Sequence, residues 1–211
     1  MERLEPYVLL DARCRLGEGP VWAHGRLGFV DIDRKVAVLA HTDTQRAEIV
    51  ATARFGGRVG AILPRENGGA GGWVVAVEGA GLLLVDEQLR NPEPLCDPEA
   101  GRTMNRYNDG GVDPRGRIWI GSMRLRGDEP TGALHRVDQD GSFETVLTGV
   151  TVSNGIAWSA DGSTMHYTDT GNRRIDTYDC DPDTGGISNR CDFAHIQDGW
   201  PDGHCLDSEG G

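Results

Sequence analysis

The chain has 211 residues, enough for one domain with a substantial core, and it carries 31 glycines, few aromatics and 26% charged residues. That composition fits a turn-rich globular protein and argues against a helical bundle or a disordered chain. A net charge of -12 argues against nucleic acid and anionic membrane surfaces as partners, since both need a basic face.

In chain order, Met1 to Pro6 lacks the apolar run of a signal peptide, and no segment approaches the length of a membrane span. Glu18, in Gly17-Glu18-Gly19-Pro20-Val21-Trp22, opens the first apolar-alternating stretch. Strands are expected at 26–33 and 35–40, then at 59–63, 73–77 and 81–86, with a glycine-rich connecting loop at 67–72. A short helical turn is expected near Glu93 to Gly101. Asn108 opens Asn108-Asp109-Gly110-Gly111-Val112-Asp113, followed by strands at 117–121, 132–137 and 143–147. Asn154 opens Asn154-Gly155-Ile156-Ala157-Trp158, with strands at 165–169 and 174–179 behind it. Asp202 opens a last stretch, Asp202-Gly203-His204-Cys205-Leu206-Asp207. Asp-Gly and Asp-Pro turns punctuate the series, so the reading is an all-β meander.

The polar openers Asn108, Asn154 and Asp202 stand about 46 and 48 residues apart, the length of one four-stranded propeller blade. Equivalent positions in successive blades face one axis. Glu18, Asn108, Asn154 and Asp202 would then meet at one end of a channel, as two carboxylates and two amides suited to a hard cation. At roughly 48 residues per blade the chain makes about four and a half blades. The expectation is a single propeller domain over residues 1–211 that is C-terminally incomplete, because a ring ending there leaves open strand edges.

Each of these residues has a plainer reading when taken alone: Asn before Gly and Asp between Pro and Gly are turn formers, and Glu18 and Arg106 are solvated charges. Their repeated placement separates them from that reading. Asp179 to Gly185 imitates a calcium loop but lacks the sixth-position glycine and the closing Glu, so it reads as a hairpin turn. The six histidines show no metal-binding spacing, and His204 alone lies close enough to line the channel. Trp22, Trp119 and Trp158 recur at matching positions and are expected to pack between blades. The five cysteines, odd in number and without C-x-x-C spacing, read as free thiols of a cytoplasmic protein.

Arg106-Tyr107-Asn108-Asp109-Gly110-Gly111-Val112-Asp113-Pro114-Arg115-Gly116-Arg117-Ile118-Trp119-Ile120-Gly121-Ser122-Met123 closely resembles the signature of the senescence marker protein, gluconolactonase and luciferin-regenerating enzyme family. The stretches 16–22, 153–159 and 201–207 resemble its other three signatures in the same order. The resemblance implies a six-bladed propeller in the full-length family, with one divalent metal in the central channel. It implies Glu18, Asn154 and Asp202 as metal ligands, and Arg106 and Asn108 as substrate contacts, Asn108 within reach of a metal-bound water. Ca²⁺ leads the expected metals, with Zn²⁺, Mg²⁺ and Mn²⁺ as alternatives. The implied reaction is hydrolysis of a sugar lactone to the aldonic acid, with Asp202 as candidate general base. The alternative is a calcium-binding regulatory propeller without turnover. One departure stands out: Arg126 occupies a position where some members carry an acidic substrate contact, with Asp128 and Glu129 nearby.

Overall fold

The computed structural model describes residues 7–43, 46–66 and 71–207; Met1 to Pro6 and residues 67–70 of the expected flexible loop lie outside the described residues. Among the described residues, sixteen strands form four antiparallel sheets in which every strand pairs with its neighbour in sequence. The first sheet holds β1 (Gly17–Ala23), β2 (Arg26–Asp31), β3 (Val36–Thr42) and β4 (Ala47–Arg54). The second holds β5 (Val59–Arg65), β6 (Gly72–Val77), β7 (Gly81–Asp86) and β8 (Glu93–Cys96). In the third are β9 (Asn105–Val112), β10 (Ile118–Arg124), β11 (Gly132–Val137) and β12 (Phe143–Val150). The fourth contains β13 (Ser153–Trp158), β14 (Thr164–Asp169), β15 (Arg174–Cys180) and β16 (Ile187–His195). These are propeller blades, with β1, β5, β9 and β13 side by side in that order around the axis.

The middle strands β3 and β6 read as continuous apolar runs because each is covered on both faces. Residues 36–40 and 72–77 are buried without a break. Val30, Leu39, Ile62 and Trp73 pack between the first two blades, and Leu63, Val74, Tyr107 and Ile120 between the second and third. Trp119, Leu134, Met165 and Tyr167 fill the space between the third and fourth. Trp119 is fully buried and lies 5.7 Å, centroid to centroid, from Trp158. Trp22 departs from expectation: it is 58% exposed, because no described sheet stacks on that flank of β1.

The outer strands β4, β8, β12 and β16 are mostly exposed, since one of their faces meets solvent. The helical turn expected from Glu93 is replaced at its start by β8, which pairs with β7. Residues 98–101 form the turn that remains. The segment 202–207 is not a strand; no described strand pairs with it. The expected hairpin turn at 181–185 is present, closed by Asp181, which accepts hydrogen bonds from Asp183 N and Thr184 Oγ1. All five cysteines are free.

One buried polar knot fixes the entry into β9. Glu99, 8% exposed, accepts hydrogen bonds from Asn105 Nδ2 (2.8 Å) and Ser122 Oγ (2.8 Å). It also faces the fully buried His135 at 2.9 Å. Burial pushes the Glu99 carboxyl up, yet the His135, Asn105 and Ser122 partners outweigh burial and hold it below the usual carboxylate range. β9 is the strand that delivers Arg106, Asn108 and Asp109 to the axis.

Candidate functional site

Each inner strand carries an irregularity in register at the same height. It falls between Glu18 and Val21 in β1, between Val59 and Ala61 in β5, between Tyr107 and Gly110 in β9, and between Asn154 and Ile156 in β13. An extra residue in one strand of an antiparallel pair bends that strand and re-aims its side chains. Here it turns Glu18, Asn108, Asp109 and Asn154 into one cavity of about 580 Å³, which Asp202 and His204 also line.

Glycines allow the inner strands to come this close. A Cβ on Gly60 would overlap the carbonyl oxygen of Tyr107, and one on Gly155 would overlap His204. Gly60→Ala is therefore expected to cost about 1–3 kcal/mol of stability through overpacking, read from urea melts. An unchanged midpoint would show that β5 and β9 can separate freely. Gly60 also explains why three described blades, not four, offer a polar residue at this height. The second blade contributes an apolar wall, from Gly60 through Pro64.

Hydrogen bonds chain the polar residues together across blades. Arg106 Nη1 donates to Asn108 Oδ1 (2.6 Å) and to Tyr107 O (2.9 Å). Asn108 Nδ2 donates to Asn154 Oδ1 (2.9 Å) and to Ser153 O (2.8 Å). Asn154 Nδ2 donates to Thr170 Oγ1 (2.7 Å), whose hydroxyl donates to Pro201 O (2.8 Å). Both amides are thereby fixed in orientation, and Asn154 Oδ1 keeps one lone pair for another partner. Asn108 and Asn154 are 9% and 8% exposed, whereas Asp202 is exposed at the side of the cavity.

The carboxylates crowd one another. Glu18 is raised above the usual range by burial first, then by the Asp202 and Asp109 charges, with Arg106 opposing. Burial pushes Asp109 up to about 6 against the Gly110 N–H that donates to it, and the Asp202 charge adds to the rise. Burial and the nearby His166 hold His204 below its usual value, so its imidazole is neutral at pH 7 and adds no competing positive charge.

Glu18 and Asp202 make no hydrogen bond or ion pair with another described side chain. Two uncommitted carboxylates, a third carboxylate and an amide oxygen with a spare lone pair fit a hard cation. Among the described residues, no three His, Cys, Asp or Glu side chains stand close enough to hold a metal by themselves. A cation here would thus need the Asn154 oxygen and waters beside the carboxylates. All four repeated polar residues named from the sequence line this cavity, and Arg106 stands in its wall through Asn108. Arg126, Asp128 and Glu129 do not line it; their loop is exposed, and Glu129 pairs with Arg124 at 2.8 Å. Sequence reasoning missed Asp109. In a regular strand it would face away from its neighbour Asn108, and only the irregularity in β9 brings both inward. The glycine that follows it was the available signal.

Comparison with known proteins gives a consistent picture. The model of the SMP-30/Gluconolactonase/LRE-like region matches residues 16–211. Regucalcin of Danio rerio is 32% identical over all of this chain and 70% of its own length. YvrE of Bacillus subtilis, provisionally named a sugar lactone lactonase, is 30% identical over 95% of this chain and 68% of its own. A solved luciferin-regenerating enzyme superposes with a TM-score of 0.84 at 29% identity, covering 93% of this chain and 67% of that one. No helix among the described residues is long and apolar enough to cross a membrane.

Proposed function

The chain belongs to the SMP-30/gluconolactonase/LRE-like family, and on that premise we propose that it is a lactonase acting on a sugar lactone. Glu18, Asn154 and Asp202 would hold one divalent cation, Ca²⁺ ahead of Zn²⁺, Mg²⁺ or Mn²⁺. When bound, the cation supplies Lewis acidity toward the lactone carbonyl. Arg106 and Asn108 donate to the substrate's ring and hydroxyl oxygens and orient it. Asp202, exposed at the cavity and without a hydrogen bond to any described residue, takes the proton of the attacking water. The apolar wall from β5 keeps bulk water from the opposite side. The product is the open aldonic acid.

The observation that carries this reading is the pair of uncommitted carboxylates, Glu18 and Asp202, facing a cavity whose wall holds the Arg106–Asn108 pair. Titration of acid released from gluconolactone and related aldonolactones, with and without chelator, tests it. Hydrolysis no faster than background at saturating Ca²⁺ would overturn it in favour of a calcium-binding regulator without turnover. Arg106 separates the two readings, because a cation buffer needs no guanidinium beside its ion. Arg106→Ala is expected to lower kcat/KM about 10- to 100-fold, with cation affinity and melting temperature nearly unchanged. A variant that loses its cation as completely as Glu18→Ala would place Arg106 among the groups that hold the ion.

A further inference from the structure

The polar residues of the cavity share one hydrogen-bond direction. Arg106 donates to Asn108 Oδ1, Asn108 to Asn154 Oδ1, Asn154 to Thr170 Oγ1, and Thr170 to Pro201 O. Both ends of this relay are chemically fixed, because a guanidinium can only donate and a backbone carbonyl can only accept. The carbonyl of Ser153, which accepts from Asn108 Nδ2 at 2.8 Å, pins the middle in the same way. Neither amide can turn over without setting donor against donor.

Thr170 stands outside the repeated positions. It opens the short turn Thr170–Asn172 between β14 and β15, and its backbone N–H donates to Val152 O at 3.0 Å. The side chain is thus free for the relay. Because the hydroxyl directs its proton to Pro201 O (2.8 Å), its oxygen acts as an acceptor, and it accepts from the Asn154 amide nitrogen (2.7 Å). The Asn154 oxygen is left on the cavity side, which is the orientation a cation needs.

The same hydroxyl acts on Asp202. The segment 202–207 pairs with no described strand, so no ladder holds Asp202 in place. Two threonines, two residues apart, hold the chain on either side of it. Thr170 does so at the Pro201 carbonyl, and the fully buried Thr168 at His204 Nδ1 (3.3 Å).

We propose that Thr170 is a positioning residue of the cation site: its hydroxyl turns the Asn154 oxygen toward the cavity and ties the segment that carries Asp202 to the same point. The inference rests on Glu18, Asn154 and Asp202 as the residues that would hold the cation, and it adds what aims two of the three.

The test titrates chelator-stripped protein with Ca²⁺ in a calorimeter. The unmodified chain is set beside Thr170→Val, which keeps the shape and loses the hydroxyl, and Thr170→Ser, which keeps the hydroxyl. Ca²⁺ binding about 10- to 100-fold weaker in Thr170→Val, with recovery in Thr170→Ser, is the expected result. Unchanged affinity in Thr170→Val overturns the proposal even where its metal-free melting temperature falls, since the hydroxyl is then structural only. An equal loss in Thr170→Ser overturns it as well. Should Thr170→Val not fold, Thr170→Ala takes its place. A second measurement needs no cation: exchange of the Asn154 side-chain amide protons, followed by NMR in metal-free buffer. If the unmodified protein binds none of Ca²⁺, Zn²⁺, Mg²⁺ or Mn²⁺, the cation reading of the cavity fails by itself, and these protons decide what the hydroxyl does. Protection present in the unmodified protein and in Thr170→Ser but lost without the hydroxyl upholds the positioning role. Exchange as fast as that of a solvated asparagine in the unmodified protein, or equal exchange in every variant, overturns it.

Discussion

Replacing Glu18 or Asp202 by alanine is expected to lower kcat/KM for a sugar lactone by at least about a thousandfold, the loss of several kcal/mol of charge stabilisation. These are the two carboxylates at the repeated positions, and neither is hydrogen-bonded to a described residue, so neither change breaks a hydrogen bond among them. The melting temperature should therefore hold, and it should rise slightly in metal-free buffer as crowding among Glu18, Asp109 and Asp202 is relieved. Cation content by atomic emission, the melting curve and acid release together make the check. Full turnover in either variant with stoichiometric cation would show that the ion is held elsewhere.

The second large effect is structural and lies away from the axis. Glu99→Ala is expected to cost about 3–5 kcal/mol, because it leaves the fully buried His135 together with Asn105 and Ser122 without their shared acceptor. The pH dependence has a definite sign. The folded carboxyl lies below its usual range, so its contribution is present in full above the unfolded value and is lost as pH falls through the folded value. Urea melts of the two proteins should therefore differ most at neutral pH and converge in acid. A difference below about 1 kcal/mol at pH 7 would mean that the knot rearranges around the gap.

The parts of the fold that were legible in the sequence are those buried on both faces. Residues 36–40 and 73–77 announce themselves as apolar runs because both faces are covered, 73–77 by the neighbouring sheets and 36–40 by the second blade on one side and Leu10, Ala12 and Cys14 on the other. β4, β8 and β16 gave no such signal: one face of each is solvated, and a polar outer strand resembles a loop. The helical turn expected from Glu93 arose from the same ambiguity. Among the polar residues of the cavity, Glu18, Asn108, Asn154 and Asp202 were legible through their spacing, a property of the repeat. Asp109 was not, because period-two alternation assigns it to the wrong side and the irregularity in β9 overrides that alternation.

Strictly sequential pairing has a kinetic consequence. Each blade closes through short hairpin loops, which keeps its contacts local for a β-protein and lowers the entropy lost before pairing is rewarded. Glu18, Asn108, Asn154 and Asp202 come from different blades or from the segment beyond β16, and they meet only after the sheets dock. The cavity is thus a late product of folding, assembled from parts that were finished separately. A cation bound there has little to grip in the transition state for making a blade and much to hold once blades are docked. It should leave the refolding rate almost untouched and slow the unfolding rate, so that ligand protection appears as longevity of the native state.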